Sequence, residues 1–205
     1  MFKYLLIFVG IILVVSLIIG CLHLIRVAKR NKKELSQYGN KEIEYTNNLG
    51  KTLVVYYSLS GNTKQIAENV AAKTNADVFE IKTTEPMQEG VKFHLEIKQQ
   101  LKSKEYPSIQ ENLPDSKDYD TVFVGFPVWW YTIATPVLAF LQKADFKNKK
   151  VVPFSTQGSN YGTSFADFRA MAKNAKIGKE QSFNNVGKKY DKAVDSKINT
   201  WLNGL

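Results

Sequence analysis

A short turn at residues 58–63 has the side chains and the spacing to bind an anion. Its donors are the hydroxyls of Ser58, Ser60 and Thr63 and the amide of Asn62. Gly61 lets the backbone approach a ligand closely and adopt a positive φ. The turn contains no Lys or Arg, and neither the P-loop pattern nor the dinucleotide-binding glycine pattern occurs there. We therefore expect it to bind a terminal monophosphate through neutral donors.

A strand before this turn and a helix after it would position the donors. Residues 53–57 are β-branched, aromatic and apolar, which predicts a buried strand, and the apolar residues from Ile66 to Ala71 recur at helical spacing. The first N–H groups of such a helix have no internal partner and lie at the positive end of its dipole, which favours phosphate. The alternative is an ordinary strand–helix connection capped by Ser60 or Asn62.

Strand and helix patterns alternate about five times over residues 51–205. Strands are predicted at 53–57, 77–81, 121–126, 150–155 and 177–183. Helices are predicted after residue 63 and at 91–104, 133–141, 165–172 and 186–202. The last of these helices has Tyr190, Val194, Ile198 and Trp201 on one face. This alternation predicts a doubly wound α/β domain with a parallel sheet. In such domains the ligand binds beyond the carboxyl ends of the strands, at the switch point.

Two further loops are expected at the same edge of the sheet. Residues 127–132 contain three consecutive aromatic residues, which either offer flat stacking surfaces or cover the end of the core. Residues 156–162 are rich in glycine, hydroxyl and amide groups, and either present N–H groups to a polar heterocycle or form a solvated loop. One phosphate and one large planar polar ring together describe FMN better than any other common cofactor.

These segments resemble those of flavodoxins. Residues 58–63 resemble the Thr-x-Thr-Gly-Asn-Thr phosphate loop, and residues 125–130 and 152–156 resemble the matching segments of flavodoxin-like proteins with a Pro-Ile/Val-Trp-Trp pattern. The resemblance covers residues 51–205 and implies a five-stranded parallel sheet in the order 2-1-3-4-5, with FMN at its edge.

The resemblance also implies a set of FMN contacts. It assigns the FMN phosphate to Ser58, Ser60, Gly61, Asn62 and Thr63. It assigns one side of the isoalloxazine ring to Pro127, Val128, Trp129, Trp130 and Tyr131, and the other side to Thr156, Gln157 and Gly158. Tyr131 stands where the family is expected to have a glycine or another small residue.

The chemistry is expected to reside on FMN, with no protein residue acting as acid, base or nucleophile. His94, the only histidine of the domain, is interpreted as a surface or structural residue. The single cysteine, Cys21, excludes internal disulfides and cysteine metal clusters, and no metal site is expected. The net charge of +9 is shared between residues 1–50 (+4) and residues 51–205 (+5), whose lysines are scattered among acids, so nucleic acid is not an expected partner.

Three functions fit this pattern. The first is a membrane-tethered FMN protein that carries electrons for a redox partner protein or performs a flavin-dependent reduction. The second is an NAD(P)H-dependent quinone-type oxidoreductase. The third is a non-catalytic binding module that retains the flavodoxin fold, against which the intact turn at residues 58–63 argues.

Residues 4–25 contain no Lys, Arg, Asp or Glu. As a helix they would span roughly 33 Å, against about 30 Å of bilayer hydrocarbon. We expect a transmembrane helix or signal anchor over residues 1–28, a basic and polar tether over residues 29–50, and the flavodoxin-like domain over residues 51–205.

Charge predicts the orientation of this segment. Five basic residues follow it, namely Arg26, Lys29, Arg30, Lys32 and Lys33. Only Lys3 precedes it, so the positive-inside rule predicts a single-pass protein of the cell membrane with its domain in the cytoplasm. The alternative is cleavage at residues 18–21, which loosely resemble a lipobox, to give a lipoprotein anchored through Cys21 with an extracytoplasmic domain.

Overall fold

A computed structural model describes residues 2–39, 42–184 and 192–205, apart from the side chain of Val91. The chain begins with the long helix α1 (Phe2–Leu35). By length and composition α1 is apolar enough to cross a membrane, a test that a signal sequence also passes.

A parallel sheet with helices on both faces follows α1. Its strands are β1 (Thr52–Tyr56), β2 (Asp77–Glu80), β3 (Thr121–Trp129), β4 (Thr132–Ile133), β5 (Lys150–Gln157), β6 (Lys176–Ile177) and β7 (Gln181–Asn184). The other helices are α2 (Asn62–Thr74), α3 (Val91–Ser103), α4 (Thr135–Lys143), α5 (Ser164–Met171) and α6 (Lys192–Asn203). The strand order is β2-β1-β3-β5, and both β6 and β7 pair with β5 in parallel. Because β4 is only a hairpin arm on β3, the predicted order 2-1-3-4-5 is confirmed.

Consecutive residues of the central strand β3 point into two different cores. Val122 and Val124 belong to the cluster that contains the buried residues of α4 and α5. Phe123 belongs to the cluster that contains those of α2 and α6, including Trp201. Successive side chains of a strand face opposite sides, so a strand that is covered on both faces is apolar without alternation. This explains why residues 121–126 could be recognised as a central strand.

Two strands extend further than predicted. β3 continues beyond Phe126 to Trp129, because Val128 pairs with Ile133 in an antiparallel hairpin. This pairing also delays the next helix, which was predicted from residue 133 and begins at Thr135. β5 continues to Gln157 because β7 pairs with its last four residues.

The last strand was predicted as one segment, at residues 177–183. The structure divides it into β6 and β7, which pair with the start and the end of β5 respectively. The predicted closing helix is present as α6, but its expected start at residue 186 and its expected face residue Tyr190 lie outside the described residues.

The segment predicted as a tether is bound to the domain over much of its length. Its first part continues α1 as far as Leu35. Its last part lies along α6, where Asn199 Nδ2 donates to the Ile43 carbonyl at 2.6 Å and Asn203 Nδ2 donates to the Glu44 carbonyl at 2.7 Å. The chain therefore reaches β1 along the domain surface and not as a free linker.

Candidate functional site

The turn between β1 and α2 leaves the start of the helix uncapped. Gly61 is the N-cap, with φ of 88°, and no side chain among the described residues caps α2. The first helical hydrogen bond runs from Gln65 N to the Gly61 carbonyl at 3.0 Å. Capping by Ser60 or Asn62, considered above as the alternative, is therefore wrong. The first N–H groups of α2 remain available to an anion.

The space in front of this helix is open. A Cβ atom built on Gly61 would meet no other atom within 4 Å, and Ser60 is exposed. Ser58 Oγ accepts a hydrogen bond from Gly61 N at 3.1 Å, and Asn62 Nδ2 donates to Ser60 Oγ at 3.3 Å. These bonds hold the polar side chains around the mouth of the turn, where an anion would approach.

The side chain of Thr63 lies below the surface of the turn and not at its exposed opening. Its side chain is buried, and its hydroxyl shares a hydrogen bond of 2.7 Å with the buried hydroxyl of Thr156 at the end of β5. This bond joins the first turn of α2 to the neighbouring strand. Among the groups of Thr63, the backbone N–H is the one that remains suited to a phosphate.

The aromatic loop is a tight hairpin. Trp129 pairs with Thr132, so Trp130 and Tyr131 form a two-residue turn between β3 and β4. Both turn residues have positive φ, 49° for Trp130 and 65° for Tyr131, as a type I′ turn requires. That turn type favours Asn-Gly, and an L-residue in this region costs about 1–2 kcal/mol. Large aromatic residues thus occupy a strained backbone at the edge of the sheet.

The start of α5 holds this strained turn in place. Thr163 N donates to the Tyr131 carbonyl at 2.8 Å. Asp167 Oδ2 accepts from Thr132 Oγ1 at 2.5 Å and from Thr163 Oγ1 at 2.7 Å. Gly162 lies so close to Tyr131 that a side chain there would collide with it. Asp167 therefore positions the hairpin from α5.

Trp129 covers the end of the core. Its ring meets Tyr57 edge-on with centroids 5.6 Å apart and Phe93 with centroids 5.0 Å apart. Burial raises the pKa of Tyr57 to about 12, and the Glu80 carboxylate adds to the shift. Tyr57 therefore stays a neutral phenol under Trp129 at neutral pH.

Trp130 is more open and borders a cavity. Its side chain is 43% exposed, the Lys98 ammonium lies 4.0 Å from its ring centroid, and His94 meets it edge-on at 6.1 Å. The cavity has a volume of about 500 Å³ and is lined by Phe93, His94, Val128, Trp129 and Trp130. The structure thus brings His94, interpreted above as a surface or structural residue, to the aromatic hairpin. A lone histidine on a helix carries no signal that would reveal this position.

The third loop is shorter than predicted. Thr156 and Gln157 belong to β5 and are buried. Gln157 Oε1 accepts from Ser155 Oγ at 2.9 Å, and Gln157 Nε2 donates to Asn184 Oδ1 at 3.0 Å. Of the three residues expected beside the ring in this loop, Gly158 alone is exposed. Thr156 and Gln157 therefore lie in the buried end of β5, beneath the exposed part of the loop.

The assembled site suits a phosphate attached to a planar ring. Its three loops, residues 58–63, 127–132 and 156–162, contain no Asp, Glu, Lys or Arg, so the donors that the loops themselves offer to a ligand are neutral. An open helix start lies at the same sheet edge as the aromatic hairpin, because β1, β3 and β5 are adjacent and parallel. Pro127 and Val128 lead into the hairpin and are half-buried. Within the described part of the chain, no group of His, Cys, Asp and Glu side chains is arranged to hold a metal ion.

Comparison with solved structures supports this description. The flavoprotein of Lactobacillus acidophilus NCFM in complex with FMN is 25% identical, with a TM-score of 0.61 over 74% of this chain and 98% of that one. The apo-form of the Lactobacillus acidophilus flavoprotein is 27% identical, with a TM-score of 0.51 over 68% of this chain and 95% of that one. A candidate flavoprotein of Bacteroides eggerthii is 25% identical, with a TM-score of 0.61 over 76% of this chain and 97% of that one.

No protein of curated function matches the chain. The sequence profile described as flavodoxin matches residues 51–203, which include the whole sheet and all three loops of the site. The chain therefore belongs to the flavodoxin family.

Proposed function

We propose that this chain is a membrane-anchored FMN-binding protein that transfers electrons. The observation that carries the proposal is the uncapped start of α2, which opens at the same sheet edge as the aromatic hairpin. Membership of the flavodoxin family and the likeness to a flavoprotein crystallised with FMN support FMN as the ligand.

The phosphate would bind at the start of α2. Its donors would be the backbone N–H groups of Asn62 and Thr63 and the hydroxyls of Ser58 and Ser60. The ring would lie against the hairpin, with Gly158 allowing close approach from the third loop. Bound FMN would supply the oxidation–reduction chemistry, and the protein residues bind and orient it.

The anchor in this proposal is α1. The helix is apolar enough to cross a membrane and continues from Phe2 to Leu35, and in this proposal it serves as an uncleaved membrane span. By the positive-inside rule, the basic cluster after the apolar segment favours a domain in the cytoplasm. Incorporation of labelled palmitate that disappears in Cys21→Ser would instead establish the lipoprotein.

A charge reversal at the mouth of the turn tests the FMN site. Ser60→Glu in the full chain would place a carboxylate against the phosphate. Two like charges 4 Å apart repel by about 4 kcal/mol near a protein surface. We expect FMN affinity to fall at least a hundredfold, as measured by titration of flavin fluorescence.

The matched control is Ala72→Glu, which adds the same charge to the same helix. It lies on an exposed position roughly 15 Å along the axis from Asn62. Equal FMN affinity for the two variants would contradict the assignment of the phosphate site.

The source of the electrons separates two forms of the function. If the protein is an NAD(P)H-dependent quinone-type oxidoreductase, NADH or NADPH alone should bleach the absorbance of the FMN-loaded chain under anaerobic conditions. If it is a carrier, bleaching should require a redox partner protein. A chain that gains no flavin spectrum on addition of FMN would be a non-catalytic binding module.

A further inference from the structure

The end of α1 packs directly on the domain. Val27 is the one buried residue among those described in α1, and it lies only two positions after the apolar segment that ends at Ile25. The contact therefore begins within one helical turn of the apolar segment. A domain that hung on a flexible tether would show no such contact.

Arg30 extends this contact to the candidate site. Its guanidinium Nη2 donates to the carbonyl of Ser159. Ser159 belongs to the third loop of the site and follows Gly158 directly. The loop that borders the ring site is thus bound to α1.

A polar network fixes the angle between α1 and the sheet. The Glu34 carboxylate accepts hydrogen bonds from Lys197 Nζ and, at 3.4 Å, from Asn184 Nδ2. Lys197 is buried and also donates to the Ser182 carbonyl at 2.5 Å. Asn184 in turn accepts from Gln157 at the end of β5. Breaking this ion pair would leave the buried Lys197 ammonium without its carboxylate, which is costly, so these contacts hold the domain in one orientation on α1.

This orientation determines how far the site lies from the bilayer. Arg30 lies five residues beyond Ile25, or about 8 Å along the helix axis. The headgroup layer on each side of the hydrocarbon is roughly 5–8 Å thick. Because Arg30 contacts Ser159, the third loop of the site lies close to the lipid headgroups.

The rim of the site has the composition of a membrane-facing surface. Trp130, Tyr131 and Tyr161 are 43%, 58% and 46% exposed, and apart from α1 only Val78 and Leu95 are large apolar residues of comparable exposure among the described residues. Tyr131 and Tyr161 are neighbours, because Gly162 packs on Tyr131. Trp and Tyr concentrate at membrane–water interfaces, where an apolar ring and a polar tip are both accommodated.

Charge favours the same arrangement. The last turns of α1 carry Arg26, Lys29, Arg30, Lys32 and Lys33. Basic residues next to a membrane span are attracted to anionic lipids. The Arg30–Ser159 contact joins the basic end of α1 to the loop that carries Tyr161.

We infer that the aromatic rim (Trp130, Tyr131 and Tyr161) and the basic end of α1 form one surface that lies on the headgroups of an anionic bilayer. The inference rests on the proposed membrane anchor, and it places the open edge of the cofactor site at the membrane. A redox partner must then reach the site along the membrane surface.

Spin labelling of the full chain in vesicles tests this surface. In a Cys21→Ser background, one nitroxide is attached through Tyr161→Cys and a control nitroxide through Lys117→Cys, which precedes β3 at the opposite edge of the sheet. Vesicles contain phosphatidylcholine with phosphatidylglycerol. The measurement is the collision rate of each nitroxide with oxygen, which partitions into lipid, and with a water-soluble nickel chelate.

We expect the label at residue 161 to collide preferentially with oxygen and the label at residue 117 to collide preferentially with the nickel chelate. The ratio of the oxygen collision rate to the nickel collision rate should differ several-fold between the two labels. In vesicles of phosphatidylcholine alone, the label at residue 161 should lose part of this protection. Equal exposure of both labels to the nickel chelate would overturn the inference. Ser159→Cys offers a second, nearly isosteric position if Tyr161→Cys does not fold. The experiment needs no bound flavin, so it can fail while FMN binding stands.

Discussion

The hairpin turn should be stabilised by a glycine at position 131. Tyr131 has a φ of 65°, where an L-residue costs about 1–2 kcal/mol relative to glycine. Glycine costs roughly 0.5–1 kcal/mol in return, because it makes the unfolded chain more flexible. The Tyr131 side chain is 58% exposed, so its removal forfeits little buried area. We expect Tyr131→Gly to raise the free energy of unfolding by about 0.5–1 kcal/mol, or the midpoint temperature by roughly 1–4 °C.

Tyr131→Ala separates the backbone effect from the loss of the ring. Alanine has no ring but retains the penalty for positive φ, so it should be no more stable than the natural chain. Thermal and urea unfolding of the flavin-free protein in detergent, followed by near-ultraviolet circular dichroism, would compare the three chains. The difference in the free energy of unfolding between the glycine and alanine variants isolates the cost of the positive φ at residue 131. If the glycine variant is no more stable than the alanine variant, the strain assigned to this turn is wrong.

Two further predictions concern groups beneath the site. Thr63→Val and Thr156→Val should each lower the free energy of unfolding in urea by about 1–3 kcal/mol, because each leaves one buried hydroxyl unpaired. The double variant should lose less than the sum of the two single losses, and additive losses would refute the pairing. The raised pKa of Tyr57, about 12 against 10 for the free side chain, means that the folded protein keeps a proton which the unfolded chain releases near pH 10. Stability should therefore fall as the pH rises from 10 to 12, and Tyr57→Phe should fall less over this range; identical slopes would contradict the burial of this phenol.

Local sequence patterns were sufficient for the fold and for the polar turn at residues 58–63. Residues 53–57 and the apolar spacing of α2 predicted the strand and the helix, and the polar residues between them predicted the turn. The family resemblance supplied the strand order, which the structure confirms. Each of these features depends on residues that are close in sequence or on a pattern shared by the family.

The hairpin and the third loop could not be predicted in the same way. Trp130 and Tyr131 are poor residues for a two-residue turn, and the turn exists because Asp167 and Thr163 hold it from another element. Thr156 and Gln157 resembled loop residues because they are polar. They are tolerated in a buried strand because Thr63 and Asn184 provide their hydrogen-bond partners.

The docking of α1 adds a constraint on the order of biosynthesis. Glu34 leaves the ribosome early, while its partners Asn184 and Lys197 are made 150 and 163 residues later. At translation rates of 5–20 residues per second, this delay is roughly 8–30 s. The ion pair can form only after Lys197 of α6 has been made, when α1, as proposed, is already in the bilayer. The domain would therefore finish folding at the membrane surface, and a chain that stops before α6 would leave Glu34 without its cation.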